Sequence, residues 1–397
     1  MTRTILDIHI LQNVPPSNMN RDDTGTPKSA YYGGVRRARV SSQAWKRATR
    51  SRFNELLPPE ELGVRTKKVV EALAERITAR DPELAGTAPQ LAEETLKAAT
   101  GSSFEVPKRK AKEDDGTAVS ESKYLMFLSR RQLDALAAVA VEASGGGNVA
   151  RLKNALKDKE QKARARTAVD TRHSVDIALF GRMVADSADL NVEAATQVAH
   201  ALSVHRSDIE SDYYTAVDDR SGESESGAGM IGTVDFHSAT LYRYAAVDVD
   251  ELQRNLGVGL KEDEPPSTPA SKAVTAFLEA FITSLPTGKI NTFGNHTLPS
   301  AVIVKIRDRW PISFVGAFEE PVPKSAEGGF LRESCRRLAA YVPDLERQYG
   351  LADGPTWVFR VGEETRALEG LQGTEVTLGA LLEQVKDAVA ERLGSGA

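Results

Sequence analysis

Nine cations lie between Arg21 and Arg52: Arg21, Lys28, Arg36, Arg37, Arg39, Lys46, Arg47, Arg50 and Arg52, opposed by only two acids, Asp22 and Asp23. In a chain of formal net charge -5 this concentration is a local field, and the chemistry it suits is the binding of a polyanion such as nucleic acid. Spacing gives the field a shape. Ser41 or Ser42 can cap a helix running through about Leu57. On it, Trp45, Ala48, Thr49, Phe53 and Leu56 form an apolar stripe, and Gln43, Lys46, Arg47 and Arg50 share the opposite face. The helix start then offers backbone N–H groups, a positive dipole end and long cations together, which suits phosphates. Gly33-Gly34 allows close backbone approach or a turn with positive φ. The plain alternative is a solvated basic helix face beside an ordinary turn; the upstream arginines favour nucleic acid.

A second candidate stretch is Ser207 to Asp235, rich in Ser, Gly and acids, which carries Tyr213 and Tyr214 and shows no helical or strand period. A long connection of this kind is functional or disordered. Adjacent tyrosines suit stacking or wedging between bases; folding back onto the protein is the alternative. Two acid pairs, Asp22-Asp23 and Asp218-Asp219, could hold Mg²⁺ beside a phosphate path and support hydrolysis, or Asp22 could order its own loop through Arg21 or backbone N–H groups. No phosphate-binding glycine loop, G-x-S-x-G nucleophile or Cys/His cluster is present, and His200 and His205 lack the spacing of a helical zinc pair. Neither a metal nor a cofactor is expected.

These residues need a frame. Residues 4–11 alternate, with Leu6, Ile8 and Ile10 on one face and Asp7 and His9 on the other, predicting a strand with one buried face that Pro15-Pro16 ends. His9 is either a satisfied sheet histidine or a ring offered to a base. Residues from about 60 to 173 read as charged, Ala/Leu-rich helices interrupted by a polar loop over 101–116. The helix over 151–168 is strongly basic, either solvated or a nucleic-acid contact. DIALFGRM (176–183) reads as a strand, and VEAATQVAHALSVHR (192–206) as an amphipathic helix with Val192, Ala195, Val198, Ala199 and Leu202 inward. Strands follow at 236–249 and 301–310, separated by a helix over 272–286; two more helices are expected at about 329–347 and 377–393. Without insertions the order is close to the split βαβ arrangement, whose open sheet binds single-stranded RNA in many proteins.

With 397 residues, 41% hydrophobic, the chain can bury a sizeable core. A single cysteine, Cys335, excludes an internal disulfide framework and fits a reducing cytoplasm. No apolar run is long enough to span a bilayer, and the N-terminus lacks a signal-peptide core, so a soluble, cytoplasmic protein without membrane partners is expected.

The run NRDD, then K-x-A-x-(aromatic)-GG-x-RR-x-R-x-SSQ-x-x-KRA-x-R, resembles the CasC family, the repeated backbone subunit of the type I-E CRISPR surveillance complex, Cascade. DIALFGRM, YYTAVDD (213–219), FHSATLYRYA (236–245) and GKINTF (288–293) resemble it in the same order, within residues 4–310; resemblance is poor between about 60 and 165 and after 330. The resemblance implies an α+β fold: an RRM/ferredoxin-like palm (1–59, 174–206, 236–397), an inserted α-helical fingers domain (60–173) and an extended thumb loop (207–235). It implies that Arg21, Lys28, Ser41, Gln43, Lys46, Arg47 and Arg50 hold the phosphates and sugars of a guide RNA. Met183 would lie against bases, Lys289 would extend the basic track, and Tyr213, Tyr214 and Thr215 would make thumb contacts. Partners would be the guide RNA, target DNA through the guide, other copies packed head to tail, and other Cascade subunits. The expectation is no enzyme; the alternative is a metal-dependent endoribonuclease using Asp22 or Asp218, as related backbone subunits of type III complexes do.

Overall fold

A computed structural model describes residues 3–107, 119–171, 173–184, 188–216, 230–257, 265–324, 329–351 and 354–394. The chain divides into two compact units: residues 1–52, 197–248 and 274–397 form the first, and residues 53–196 and 249–273 the second.

The first unit is built on a ten-stranded sheet with strand β1 (Ile5–Ser17) inside it. β1 pairs antiparallel with Met230–Asp248 on one side and Ala301–Arg307 on the other. Beyond Met230–Asp248 come Ala201–Ser203, then β3 (Val35–Val40) and, at the edge, β2 (Ser29–Tyr32). Beyond Ala301–Arg307 come Thr356–Arg360 and, parallel to it, Thr374–Glu375, which makes the sheet mixed.

Pleat alternation assigns the two faces. Ile10 pairs with Arg243, whose guanidinium lies 3.7 Å from the ring centre of Trp45 and 4.6 Å from that of Phe281. Trp45 belongs to helix α1 (Ser42–Leu56) and Phe281 to helix Thr268–Thr283. The Leu6–Ile8–Ile10 face is therefore the helix-covered one, and Trp45, Phe277 and Phe281 are fully buried against it. At about 1.5–3 kcal/mol per fully buried large apolar side chain, this layer is a major source of the unit's stability.

The opposite face is not open. Ile5 and Leu11 belong to a core cluster with Phe314, Phe318, Cys335, Leu338 and Leu368, all from the C-terminal third. Asp7 and His9, expected on a solvated face, are 0% and 1% exposed. Asp7 accepts from Tyr244 Oη (2.8 Å), Arg307 Nε (2.6 Å) and the Ile312 amide (3.1 Å). His9 Nδ1 meets Tyr242 Oη at 2.9 Å, and its ring stacks on Phe314 at 3.9 Å. Helix Gly329–Gln348 and the residues before it are the cover, and nothing in β1's own alternation reports a cover supplied from 300 residues away.

Three local readings are corrected by tertiary context. β1 runs through Pro15-Pro16 to Ser17, with an irregularity between Val14 and Ser17 that accommodates the prolines. DIALFGRM contributes a helix, Val175–Phe180, instead of a strand. A short apolar run carries no period to arbitrate, and Asp176 in its first turn accepts from the Ile177 and Gly63 amides (3.1 and 2.9 Å). VEAATQVAHALSVHR forms the strands Thr196–Val198 and Ala201–Ser203 instead of a helix. Its small and β-branched residues satisfy period 2 as well as 3.6, and β3 and Met230–Asp248 supply hydrogen-bonding edges.

The second unit holds helices Val69–Arg80, Ala88–Thr100, Arg130–Ser144, Val149–Ala155 and Lys159–Asp170 around a core that includes Leu73, Ile77, Leu91, Leu96, Leu133 and Leu136. Residues 174–196 group with it. Among the described residues, no helix is long and apolar enough to cross a membrane.

Candidate nucleic-acid interface

Asn20 organises the basic stretch. Its side-chain Oδ1 accepts from the Ser41 amide (2.8 Å) and its carbonyl from the Lys28 amide (2.9 Å), so one residue joins the loop after β1, the start of β2 and the start of α1. The loop between is closed on itself. Arg21 bridges to Pro27, and Asp22 Oδ1 accepts from the Thr24 amide (3.0 Å), Thr24 Oγ1 (2.7 Å) and the Thr26 amide (3.0 Å). These bonds hold the exposed Asp22 carboxyl below its ordinary range, the Thr24 hydroxyl contributing most.

Two further segments are tied to this loop. Thr26 Oγ1 donates to Asp235 Oδ2 (3.1 Å), and Asn18 Nδ2 donates to the carbonyls of Gly25 (3.0 Å) and Asp235 (2.8 Å). Asp235 lies at the base of a hairpin in which Glu210–Ala216 pairs with Met230–Phe236. The third segment is GKINTF. A Cβ on Gly288 would lie 2.3 Å from the Met19 carbonyl oxygen, so only glycine permits this approach, and Phe293 packs on Phe236 at 5.9 Å.

Ser41 caps α1: its Oγ accepts from the Ala44 amide at 3.3 Å, and it is nearly buried. Gln43 and Arg47 are exposed, Lys46 and Arg50 half-buried, and Trp45 and Thr49 fully buried on the opposite side. The expected division of the helix into a basic and an apolar face is what the structure shows. Burial along its stem lowers the Lys46 ammonium below its ordinary range.

Not every cation of the stretch points outward. Arg37 is fully buried: its guanidinium donates to the carbonyls of Tyr32 (3.1 Å), Ser203 (2.9 Å), Phe318 (2.8 Å) and Glu319 (3.0 Å). It staples the β2–β3 hairpin and leaves the field. Arg39 donates to Ser29 O (3.2 Å) and meets His200 Nδ1 at 3.0 Å. Burial, then the charges of Arg39 and Lys28, hold His200 below its ordinary value.

Tyr213 and Tyr214 lie in a strand, where no period was expected, opposite Thr233 and Gly232. As consecutive strand residues they point to opposite faces. A Cβ on Gly232 would fall 2.4 Å from the Tyr214 ring, so that ring lies over the glycine, while Tyr213 is 62% exposed. Thr215 is exposed and pairs with Ile231. Residues 217–229, Asp218 among them, and most of the polar loop over 101–116 fall outside the described residues. Lys289 sits half-buried at the N-cap of Ile290–Phe293 with φ 48. Met183 belongs to the second unit and is 81% exposed, following Arg182, which is buried and donates to the carbonyls of Leu190 (2.9 Å) and Val169 (3.0 Å).

Comparison with known proteins covers nearly the whole chain. A family model described as CT1975-like protein, Cas_CT1975, matches residues 6–385. The chain belongs to the CT1975-like family. It is similar to a solved chain titled "CRISPR RNA-guided surveillance complex, pre-nicking" at 32% identity and TM-score 0.79, covering 97% of this chain and 100% of that one. It is also similar to one titled "CRISPR RNA-guided surveillance complex" at 28% identity and TM-score 0.69, covering 97% and 99%. No curated protein sequence matches. In this CT1975-like chain, the residues that sequence reasoning missed are Asn18 and Asn20, which carry no charge yet join the segments. The signal available for Asn20 was its place at the head of NRDD, four residues after a Pro-Pro pair.

Proposed function

We propose that this CT1975-like chain is the guide-RNA-binding backbone subunit of a type I-E CRISPR surveillance complex, with copies following one another head to tail along the RNA in the cytoplasm. One observation carries the reading: Asn20, Thr26 and Gly288 bring the 20–28 loop, the start of α1, the base of the 210–236 hairpin and the GKINTF loop together. The full-length similarity to chains of RNA-guided surveillance complexes supports it. The strand order Ala301–Arg307, β1, Met230–Asp248, Ala201–Ser203, antiparallel throughout, supports reading the sheet as a ferredoxin-like palm. Its second face being covered, RNA would follow the loops and edge instead of lying on the sheet.

Arg21, Lys28, Gln43, Lys46, Arg47 and Arg50 would contact phosphates and sugars, with the amides aimed by Ser41, and Lys289 would continue the track. Contacts of this kind position the strand without reading its sequence, so base pairing of the guide with target DNA does the recognition. Tyr213, Tyr214 and Thr215 on the hairpin and Met183 would meet bases. The subunit itself would not cut: the one carboxylate that a nuclease reading would use among the described residues, Asp22, has Oδ1 committed to three hydrogen bonds within its own loop.

The test is direct. Natively purified protein should carry a small RNA of uniform length and companion subunits. Lys46→Ala with Arg50→Ala should weaken binding to every RNA sequence alike and reduce the salt slope by roughly 0.7 for each phosphate that is no longer neutralised. A weakening confined to one sequence would refute the phosphate track, and Mg²⁺-dependent cleavage abolished by Asp22→Ala would install the nuclease reading.

A further inference from the structure

Tyr31 is 75% exposed, the most open tyrosine among the described residues, and it stands on the edge strand of the sheet. Arg36 is its cross-strand partner in the β2–β3 hairpin and is also exposed. Directly paired strand residues project from the same face at about 5 Å, so an aromatic ring and a guanidinium are presented side by side.

The hairpin is held rigidly. Gly33 and Gly34 turn it with φ 56 and 75, and a Cβ on Gly33 would overlap the Glu319 carbonyl oxygen at 1.6 Å. Tyr32 Oη donates to Val315 O (3.3 Å), and Arg37 donates to Phe318 O and Glu319 O from the same hairpin. Tyr32 and Arg37 therefore fix the strand pair through their side chains, and the Arg36 carbonyl adds a bond from the Ser207 amide (3.0 Å), while the Tyr31 and Arg36 side chains stay exposed. A ring fixed by its backbone loses little freedom when something packs on it.

We propose that Tyr31 is a stacking contact for a base of the bound RNA strand, with Arg36 beside it for the adjoining phosphate. This rests on the RNA reading above and adds a site at the sheet edge to it. Tyr31 lies three residues beyond Lys28, about 10 Å along an extended strand, so the track that passes Lys28 continues onto it. Between Thr24 and Arg50 the chain has cations and no acid, which suits a phosphodiester strand and repels most basic protein surfaces. Every base offers a π-face, so the contact would hold RNA without selecting sequence.

The experiment measures affinity of the purified full chain for a labelled single-stranded RNA oligonucleotide at several salt concentrations. Tyr31→Ala should weaken binding about five-fold or more with an unchanged salt slope, because a ring and not a charge is removed. Tyr31→Phe should restore affinity, and thermal melting should match wild type for both. Irradiated 4-thiouridine RNA should crosslink to the peptide holding residue 31. Affinity of Tyr31→Ala within two-fold of wild type overturns the proposal. If Lys46→Ala with Arg50→Ala abolishes binding in that case, the RNA reading survives and the edge site alone falls; if neither variant weakens binding, both fall. RNA affinity retained while association between copies disappears would make Tyr31 a seat for a second copy, which also overturns the proposal.

Discussion

Two polar regions of the first unit look alike in sequence and end in opposite environments. On β1, Asp7 and His9 alternate with apolar residues, as on a strand with one wet face, yet both are buried. In the 20–50 stretch, Arg21, Gln43 and Arg47 are exposed, although they are interleaved with equally buried Trp45 and Arg37. The difference is what arrives from elsewhere in the chain. The C-terminal third supplies Arg307 to Asp7 and Phe314 to His9, with Glu346 behind Arg307, whereas Gln43 and Arg47 on α1 stay exposed. A polar residue in a strand therefore reports an available partner as readily as it reports solvent.

Breaking the buried region should have the largest effect. Arg307 donates to Asp7 (2.6 Å) and to Glu346 (2.9 Å), and Lys305 also reaches Glu346 (2.8 Å). Arg307→Ala leaves Asp7 as an uncompensated carboxyl and should cost about 3–5 kcal/mol at neutral pH. Burial pushes Asp7 up to about 6, Arg307 opposing it. A carboxyl raised on folding stabilises most below its unfolded value of 3.8, and that contribution is lost as pH rises through about 6. The variant should accordingly lose more stability at pH 7.5 than at pH 5, where Asp7 is neutral and needs no cation. Denaturant melts of both proteins at the two pH values decide it; an equal loss at both would show that Arg307 acts through packing and Glu346 and not through the charge of Asp7.

The same contrast explains what was legible in the sequence. α1, its two faces and its cap followed from spacing within fifteen residues, because a helix is specified locally. The strands expected at 236–249 and 301–310 also followed, since their residues alternate clearly. The strands at 196–203 and the helix at 175–180 were misread because both are short and small-residued, and their choice is made by hydrogen-bonding partners far along the chain. The covered second face was illegible for the same reason. Charge density pointed to the site, but only the folded chain separates Arg37, which holds the hairpin, from Arg36 one residue away, which faces solvent.

A smaller effect tests the contrast inside the hairpin of residues 210–236. Tyr214 covers Gly232 and Tyr213 faces out, so the two should not be equivalent. Tyr214→Ala should loosen the hairpin by about 0.5–1 kcal/mol, seen as faster amide exchange over 210–216. Tyr213→Ala should change stability by less than about 0.5 kcal/mol while weakening ordered assembly on RNA. Equal loss of exchange protection in both variants would mean that the rings share one role.

The smallest expected effect is at Lys289, where an exposed-side function and local strain meet. With φ 48 and ψ 29, its backbone is left-handed, a conformation that disfavours a long side chain and that asparagine tolerates better. Nothing in the turn itself calls for lysine: the bonds around it run through backbone, from the Thr292 and Phe293 amides to the Lys289 carbonyl (3.0 and 3.2 Å). If lysine is there for its charge, Lys289→Asn should raise stability by roughly 0.5 kcal/mol or less and lower RNA affinity at the same time. The salt slope should fall by roughly 0.7, the signature of a single-stranded RNA with one phosphate fewer neutralised. Stability and binding moving in opposite directions would mark Lys289 as a cation kept in spite of its backbone. A gain in stability with unchanged affinity and slope would end the basic track before the GKINTF loop, and leave Lys28 and the α1 face to hold the strand.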